Sequence, residues 1–337
     1  MPESAEPVDF LCRVCGRSGV GHRHEAREMM FGSRERFAYL LCSHCGSLQI
    51  EAIPEDLGRH YPPQYYSHAP RAEPAEHRGL KGAAIRWYCR SAVLRPNDRL
   101  AAALRRRLPE PGDFVEIRAY LEGAGLHRSD DPILDVGCGA RPSRLAAMRR
   151  CGFTALQGLD PFAPADLVYQ GVPVRKLAVS DMEGEGRFAL VMFHHSLEHV
   201  PDPLGDLRAA ARLLRPGGRC LVRIPVMGTY FWRRFATNWA ELDAPRHLYL
   251  MTSEGLETLA SAAGLRLRQS WFDSGGWEIA ASLQYEADVP MFDPRACQGE
   301  GPQTLFDREA RRSFDREAAQ LNTARDGGRA CFFFEKA

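Results

Sequence analysis

Residues 132–143 constrain the fold of this chain more than any other stretch. Residues 132–136 form a short apolar run typical of a buried β-strand, and Gly137 and Gly139 then permit a tight turn against which a cofactor can lie. Pro142 suits the first turn of a following helix, where its missing N–H costs nothing. The stretch therefore predicts a strand, a glycine turn and a helix, which is the nucleotide-cradling corner of a doubly wound α/β sheet.

A carboxylate supports the same interpretation. The next predicted strand, 155–159, is followed by Asp160, about twenty residues beyond the glycine turn, where a carboxylate can accept both hydroxyls of a ribose. Position 142 holds proline instead of the third glycine of the dinucleotide fingerprint, which disfavours a nicotinamide dinucleotide. Residues 134–139 instead resemble the first motif of class I S-adenosylmethionine-dependent methyltransferases, although Arg141 stands where that family often has another glycine.

From residue 132 onward, predicted strands alternate with helices, as a parallel sheet requires. We predict strands at 132–136, 155–159, 173–178, 188–194, 219–225, 265–272 and 330–335, and helices at 143–151, 203–214, 252–263 and 307–321. Residues 188–203, 213–218 and 331–335 also resemble class I methyltransferases. That resemblance covers 132–337 and implies a doubly wound, seven-stranded, mostly parallel sheet whose last strand is antiparallel.

Two Cys-x-x-Cys-Gly pairs near the N-terminus predict a metal site. They comprise Cys12, Cys15, Cys42 and Cys45, and the glycine after each pair permits the bend that turns two thiolates towards one ion. Four thiolates satisfy tetrahedral zinc, and the remaining cysteines are scattered singly, which favours a reducing compartment over a disulfide framework. We therefore expect a structural zinc ribbon and a cytoplasmic protein.

Residues 10–68 carry a resemblance of their own. Cys45 begins the run Cys-Gly-Ser-Leu-Gln-Ile, and Tyr65-Tyr66-Ser67 follows it. The pattern resembles the zinc-binding N-terminal domain of bacterial sugar C-methyltransferases and of related methyltransferases from polysaccharide gene clusters. This resemblance implies that the tyrosine-containing loop borders the substrate; packing of its rings on the next domain is an equal alternative.

A basic region follows the ribbon. Residues 71–107 contain ten lysines or arginines against three acids, and apolar residues on both sides of Pro96 predict two short amphipathic helices broken there. A third helix is expected at 112–126. These helices either present a solvated basic face or bind an anionic partner. We thus expect three parts: a zinc ribbon with an aromatic loop at 1–69, a basic helical connector at 70–130, and an S-adenosylmethionine-binding domain at 131–337.

The crevice beyond the carboxyl ends of the strands is where a doubly wound sheet binds its ligand. The cofactor candidates are Asp135, Gly137, Gly139, Asp160, Asp181, Met182 and His194. By resemblance, the first three belong to the methionine end of S-adenosylmethionine and Asp160 to its ribose. Asp181 would lie near the adenine amine, with Met182 over the ring, although a turn-capping carboxylate is an equal alternative for Asp181.

Methyl transfer is an in-line displacement that also needs a base when a hydroxyl or an acidic carbon accepts the methyl group. The base candidates are His194, His195 and His199, with His199 first and with His195 or Tyr66 as its substitute. The substrate candidates are Tyr65, Arg246 and His247. Imidazole suits a base because its pKa lies near neutrality, and the sugar enzymes use the residue matching His199 in that way, by resemblance. A packing role for His199 and an ion pair between Arg246 and Asp243 are the alternatives.

The overall charge limits the functions available to the chain. Its 337 residues carry a net charge of only +1, which speaks against general nucleic-acid binding, and no apolar run approaches the length of a membrane span. We predict methyl transfer from S-adenosylmethionine to a small glycosyl compound, a nucleotide-sugar or a polysaccharide precursor. The sugar C-methyltransferases carry a further C-terminal domain that we do not find in this sequence, so we favour oxygen over carbon as the acceptor atom. An RNA methyltransferase and a zinc-containing scaffold protein with an inactive domain are the alternatives.

Overall fold

The computed structural model describes residues 7–62, 79–296 and 305–337, and two β-sheets carry its architecture. The strands in chain order are β1 (Pro7–Leu11), β2 (Ser18–Arg27), β3 (Arg36–Cys42), β4 (Leu48–Ile50), β5 (Ile133–Val136), β6 (Leu156–Leu159), β7 (Leu167–Tyr169), β8 (Val172–Arg175), β9 (Phe188–His194), β10 (Leu214–Pro225), β11 (Tyr249–Leu250), β12 (Leu265–Phe272) and β13 (Arg329–Lys336). The helices are α1 (Gly79–Leu94), α2 (Arg99–Arg105), α3 (Gly112–Gly123), α4 (Ser143–Arg150), α5 (Pro203–Leu213), α6 (Tyr230–Phe235), α7 (Ser253–Ala262), α8 (Gly276–Glu286) and α9 (Arg308–Thr323).

The N-terminal sheet is antiparallel and has the strand order β1-β2-β3-β4-β11. Its last strand, β11, comes from the C-terminal half of the chain and pairs with β4. Buried apolar side chains extend this contact, since Tyr39 and Leu48 belong to the same cluster as Trp239 and Leu248. The cysteine-containing segment therefore shares a hydrophobic core with the rest of the protein.

The central sheet has the strand order β12-β13-β10-β9-β5-β6-β8-β7. The pairings from β10 to β8 are all parallel, whereas β13 is antiparallel to both of its neighbours. The order reverses at β5, the strand that leads into the glycine turn, and a doubly wound sheet binds its ligand at such a switch point.

The central sheet contains eight strands, so the expectation of seven is corrected. The extra strand, β7, forms an antiparallel hairpin with β8, and only Gln170 and Gly171 lie between them. Both have positive φ, 47° and 76°, as a type I′ hairpin turn requires. Asparagine or aspartate is usual at the first of these positions, so glutamine there conceals the hairpin in the sequence.

Capping groups explain why the predicted helices begin where they do. The carboxylate of Asp202 accepts the backbone N–H of Gly205 at 2.9 Å, and Pro203 opens α5. The hydroxyl of Thr252 accepts the N–H of Gly255 at 2.9 Å at the start of α7. Helices α6 and α8 are additions to the predicted set. Helix α8 begins inside a Gly-Gly pair, a sequence typical of turns.

The connector helices pack on one face of the central sheet. Helix α1 ends before Pro96 and α2 begins after it, in agreement with the predicted break. Tyr88 of α1 and Phe114 of α3 lie in one buried cluster with Met148 of α4 and Leu190 of β9. Within the described ranges, no helix combines the length and the hydropathy needed to cross a bilayer.

Candidate functional site

The glycine turn follows β5 and borders the loop after β9. Gly137 and Gly139 have φ of 72° and 70°, a region that favours glycine. A Cβ atom on Gly137 would lie 2.5 Å from Cβ of Ser196, so the turn tolerates no side chain there. Ser196 in turn donates a 2.7 Å hydrogen bond from its hydroxyl to the carbonyl of Val136. The structure thus brings the predicted cofactor turn and the predicted base loop together.

Asp160 braces this turn from the end of β6. One carboxylate oxygen accepts the backbone N–H of Gly139 at 2.8 Å, and the other accepts the N–H of Phe162 at 2.8 Å. Each carboxylate oxygen can accept a second hydrogen bond, and the side chain remains partly exposed. Asp160 therefore fits the predicted ribose-binding role and also supports the turn, a contribution that the sequence does not reveal.

Arg144 connects three side chains beside the turn. Its guanidinium lies 3.2 Å from the Asp135 carboxylate and donates at 2.7 Å to Nδ1 of His194. Nε2 of His194 lies 3.3 Å from the Tyr120 hydroxyl. Burial raises the pKa of Asp135 to about 6 in spite of the Arg144 cation, and burial together with Arg144 lowers the pKa of His194 well below its usual value. At neutral pH the group is a carboxylate, a cation and a neutral imidazole.

His199 lies at the end of the loop after β9 and is held in one tautomer. Its Nδ1 is 2.8 Å from the carbonyl oxygen of Arg246, which can only accept, so Nδ1 carries the proton and Nε2 keeps its lone pair. The Tyr61 hydroxyl lies 3.2 Å from the same Nδ1. Burial, and then the nearby His247, lower the pKa of His199 to about 3. The ring is therefore neutral across the physiological range, and its titration is displaced far from the predicted value near neutrality.

His195, the second base candidate, has both ring nitrogens engaged. Nδ1 lies 3.1 Å from the Glu198 carboxylate, and Nε2 accepts from the guanidinium of Arg223. The other carboxylate oxygen of Glu198 is buried and has no hydrogen-bond partner among the described residues. Burial raises the pKa of Glu198 well above its usual value. These contacts leave His195 no free nitrogen to accept a substrate proton.

Arg246, a substrate candidate, is completely buried and paired with acids. Its guanidinium lies 2.6 Å from the Asp243 carboxylate and 3.0 Å from that of Glu28, and it donates to the carbonyl of His60 at 3.2 Å. The Arg246–Asp243 ion pair was the alternative to a substrate-binding role, and the structure contains it. Glu28 of the N-terminal segment is a second acidic partner. With its donors so occupied, Arg246 holds the cysteine-containing segment to the main domain and is not presented to a substrate.

The remaining candidates lie in different environments. His247 is buried, donates from Nδ1 to the carbonyl of Glu241 at 2.7 Å, and has its ring centroid 4.6 Å from that of His199. Asp181 is exposed in a short 3₁₀ turn, whereas Met182 is buried in the core. Tyr65 and Tyr66 lie outside the described residues. Glu198, His199 and His247 also place three possible metal-ligand atoms within 4.8 Å of one another.

The four cysteines predicted to bind metal converge. Sγ of Cys12 lies 3.7 Å from that of Cys45, Sγ of Cys15 lies 3.9 Å from that of Cys42, and all four sulfurs are within 4.8 Å of one another. Tetrahedral zinc with bonds of about 2.3 Å would separate its sulfur ligands by about 3.8 Å. The donor set and its spacing therefore fit zinc.

The sequence alone does not identify three residues that lie beside the site. They are Arg144, which binds Asp135 and His194, Tyr61, which contacts His199, and Glu198, which binds His195. Arg144 is the second residue of the helix after the glycine turn, so its position could have suggested it. Tyr61 opens the tyrosine-containing segment. Glu198 gives no signal beyond its position next to His199, because its burial depends on the whole fold.

Comparisons with known proteins assign the chain to a methyltransferase family. The methyltransferase-domain family matches residues 99–270, which is about half of the chain. The ubiquinone biosynthesis O-methyltransferase of Pseudomonas paraeruginosa is 34% identical over 153 residues, covering 43% of this chain and 60% of the relative. The protein of the same name from Azotobacter vinelandii is 33% identical with the same coverage. The chain thus spans less than two thirds of the length of these relatives.

Solved structures are more distant. A putative sarcosine dimethylglycine methyltransferase from Galdieria sulphuraria has a TM-score of 0.43 and 15% identity, covering 70% of this chain and 88% of that one. A geranyl diphosphate C-methyltransferase from Streptomyces coelicolor has a TM-score of 0.42 and 17% identity, covering 73% and 88%.

Proposed function

Because the chain belongs to the methyltransferase-domain family, we propose that it transfers the methyl group of S-adenosylmethionine to an oxygen atom of a small acceptor. The observation that carries this proposal is the meeting of the Gly137 turn with the loop that holds His199, through the contact of Ser196 with the turn. One side of the crevice then offers a cofactor cradle and the other offers a neutral imidazole.

Different residues of the chain would bind the cofactor and accept the proton in such a reaction. Bound S-adenosylmethionine supplies an electrophilic methyl group on sulfur. Gly137 and Gly139 would allow the backbone to approach the cofactor, Asp160 would accept its ribose hydroxyls, and Asp135 would bind towards its methionine end. With the cofactor bound, Nε2 of His199 would take the hydroxyl proton of the acceptor. The lowered pKa of the imidazole keeps Nε2 unprotonated at neutral pH and also makes it a weak base. The carbonyl of Arg246 keeps Nδ1–H oriented and stabilises the imidazolium that forms.

Two arguments support the acceptor class. The ubiquinone biosynthesis enzymes that the chain resembles are named O-methyltransferases, which favours oxygen. The paired Cys-x-x-Cys-Gly motifs and the tyrosine-containing segment resemble sugar methyltransferases, which favours a glycosyl compound such as a nucleotide-sugar. In this proposal the N-terminal segment carries one structural zinc on its four cysteines, and it borders the acceptor through Tyr61, which already contacts His199.

The test combines an acceptor screen with variants of His199. Purified protein is incubated with S-adenosylmethionine and nucleotide-sugars, and the methylated product is located by mass spectrometry and NMR. His199→Asn keeps an N–H that can bind the Arg246 carbonyl but removes the base, and should lower kcat by ~10²–10⁴ with little change in cofactor affinity. His127→Ala, an exposed histidine, is the matched control and should behave as the wild type. Unchanged kcat in His199→Asn would contradict the base role, and a product methylated on carbon or nitrogen would contradict oxygen as acceptor.

A further inference from the structure

Helices α1 and α2 carry a concentration of exposed apolar side chains. Large apolar side chains are exposed at four positions on these helices, namely Leu80, Trp87, Leu100 and Leu104, and Leu108 just after α2 is a fifth. Leu80 is 92% exposed and Leu100 is 71% exposed, so these two side chains lie mostly in water, whereas the other three are 40–44% exposed. Soluble surfaces tolerate isolated leucines, but a group of them on adjacent elements indicates a binding surface.

These side chains lie on common helix faces. Leu80 and Trp87 are seven residues apart on α1, and Leu100 and Leu104 are four residues apart on α2, spacings that place both members of each pair on one side of a helix. The two helices are tied together, since Arg105 of α2 donates to the Ser91 hydroxyl of α1 at 3.1 Å. The neighbouring faces of the two helices supply Tyr88, Ala92 and Ala101 to the buried interior.

The same surface is strongly cationic. Its exposed basic residues are Lys81, Arg86, Arg90, Arg95, Arg99, Arg106 and Arg107. None of these cations forms an ion pair with a residue in the described parts of the chain. Residues 79–108 contain a single acid, Asp98, and its carboxylate is engaged in accepting the N–H of Ala101 at 3.0 Å. Arg86 and Arg90 pack beside Gly152, and Arg90 interacts electrostatically with Asp130. On a chain whose net charge is only +1, the remaining basic side chains still concentrate positive charge at this surface.

We propose that the α1–α2 surface, residues 79–108, binds the surface of an anionic lipid bilayer. Guanidinium groups pair with lipid phosphates, while Leu100, Leu104 and Trp87 enter the boundary between headgroups and acyl chains, as in interfacial amphipathic helices. A nucleic-acid partner would satisfy the cations but would leave these leucines in water or against a charged backbone. The combination of both kinds of side chain therefore favours a bilayer. This surface is separate from the His199 loop, and the inference does not depend on the acceptor.

The experiment is vesicle co-sedimentation of the full chain. One vesicle population contains phosphatidylcholine alone and the other contains phosphatidylcholine mixed with phosphatidylglycerol. We expect salt-sensitive binding to the mixed vesicles and much weaker binding to the neutral ones. Arg106→Gln/Arg107→Gln should weaken binding by about 30-fold. Leu100→Glu/Leu104→Glu should abolish detectable sedimentation, and circular dichroism should show both variants to be folded.

Matched controls separate this surface from general effects of charge and hydrophobicity. Arg312→Gln/Arg316→Gln removes two exposed charges from α9, and Val168→Glu replaces an exposed apolar residue on β7; both should bind as the wild type. The proposal is overturned if the wild type ignores mixed vesicles or if the controls lose binding equally. It is also overturned if Leu100→Glu/Leu104→Glu binds normally, or if labelled single-stranded RNA is bound instead of vesicles, because the surface would then act through charge alone.

Discussion

Removing Glu28 should show how strongly the cysteine-containing segment is held to the main domain. This buried carboxylate accepts the N–H groups of Phe31 and Ser33, each at 3.0 Å, and pairs with Arg246 at 3.0 Å. Although burial acts to raise the pKa of Glu28, the N–H of Phe31 and the cation of Arg246 lower it below its usual value. The acid is thus ionised at neutral pH and contributes stability that is lost as pH falls through its lowered pKa.

The expected cost follows from what remains after Glu28→Ala. Breaking a buried ion pair typically costs ~3–5 kcal/mol because the remaining charge loses its partner. Arg246 keeps Asp243, which lies 2.6 Å away, so we expect the lower end, a loss of about 3 kcal/mol in the free energy of unfolding. Glu25→Ala is the control. Its carboxylate is exposed and contacts Arg23 and Arg36, so its removal should cost less than about 1 kcal/mol.

Urea unfolding followed by circular dichroism measures both variants under the same conditions. The midpoint should fall for Glu28→Ala and stay near the wild-type value for Glu25→Ala, with little change in the slope. Because the backbone of Arg246 also orients His199, turnover should fall in Glu28→Ala even where the protein remains folded. Equal midpoints for the two variants would refute the claim that this buried pair stabilises the fold.

The remaining predictions concern the metal and the cofactor. Cys42→Ser should lose most of the zinc measured by atomic emission and unfold the N-terminal sheet, since ligand binding and folding are coupled; full zinc occupancy would remove Cys42 from the ligand set. Asp160→Ala should weaken S-adenosylmethionine by ~1.5–3 kcal/mol and also lower stability slightly, because it braces Gly139; unchanged affinity would show that the ribose lies elsewhere. Protonation of Asp135, whose pKa is about 6, should raise the cofactor Kd by up to tenfold per pH unit below that value. A Kd that stays constant down to about pH 5 would contradict this assignment of Asp135.

Much of the central sheet is predictable because its signals are local. The apolar run at 132–136, the glycines after it and the helix caps at Asp202 and Thr252 each involve residues a few positions apart. The methyltransferase domain inferred from those signals is confirmed by the family match. The hairpin between β7 and β8 was not predicted because glutamine is uncommon at the first position of its turn, although the backbone geometry of the turn is of a common type.

The environment of the site is less predictable because it depends on contacts that are distant in sequence. The sequence suggested that Arg246 could bind a phosphate or carboxylate of the substrate. In the structure its guanidinium pairs with Glu28, which lies more than two hundred residues earlier in the chain. The pKa of His199 likewise depends on burial and on His247, neither of which is visible in the loop sequence. Residue type and order therefore indicated some of the side chains at the site, such as Asp160 and His199, but the fold decides which of them already have partners.

The most direct test of the account is a calorimetric titration of S-adenosylmethionine into the wild type and Gly137→Ala. We predict equimolar binding to the wild type and a loss of at least about tenfold in the variant, ~1.4 kcal/mol, because the new Cβ would collide with Ser196 and strain a φ of 72°. Gly112→Ala, where the added Cβ meets no atom within 4 Å, should bind as the wild type does. No binding to the wild type, or equal affinity in a folded Gly137→Ala, would contradict the claim that the cofactor lies on this turn.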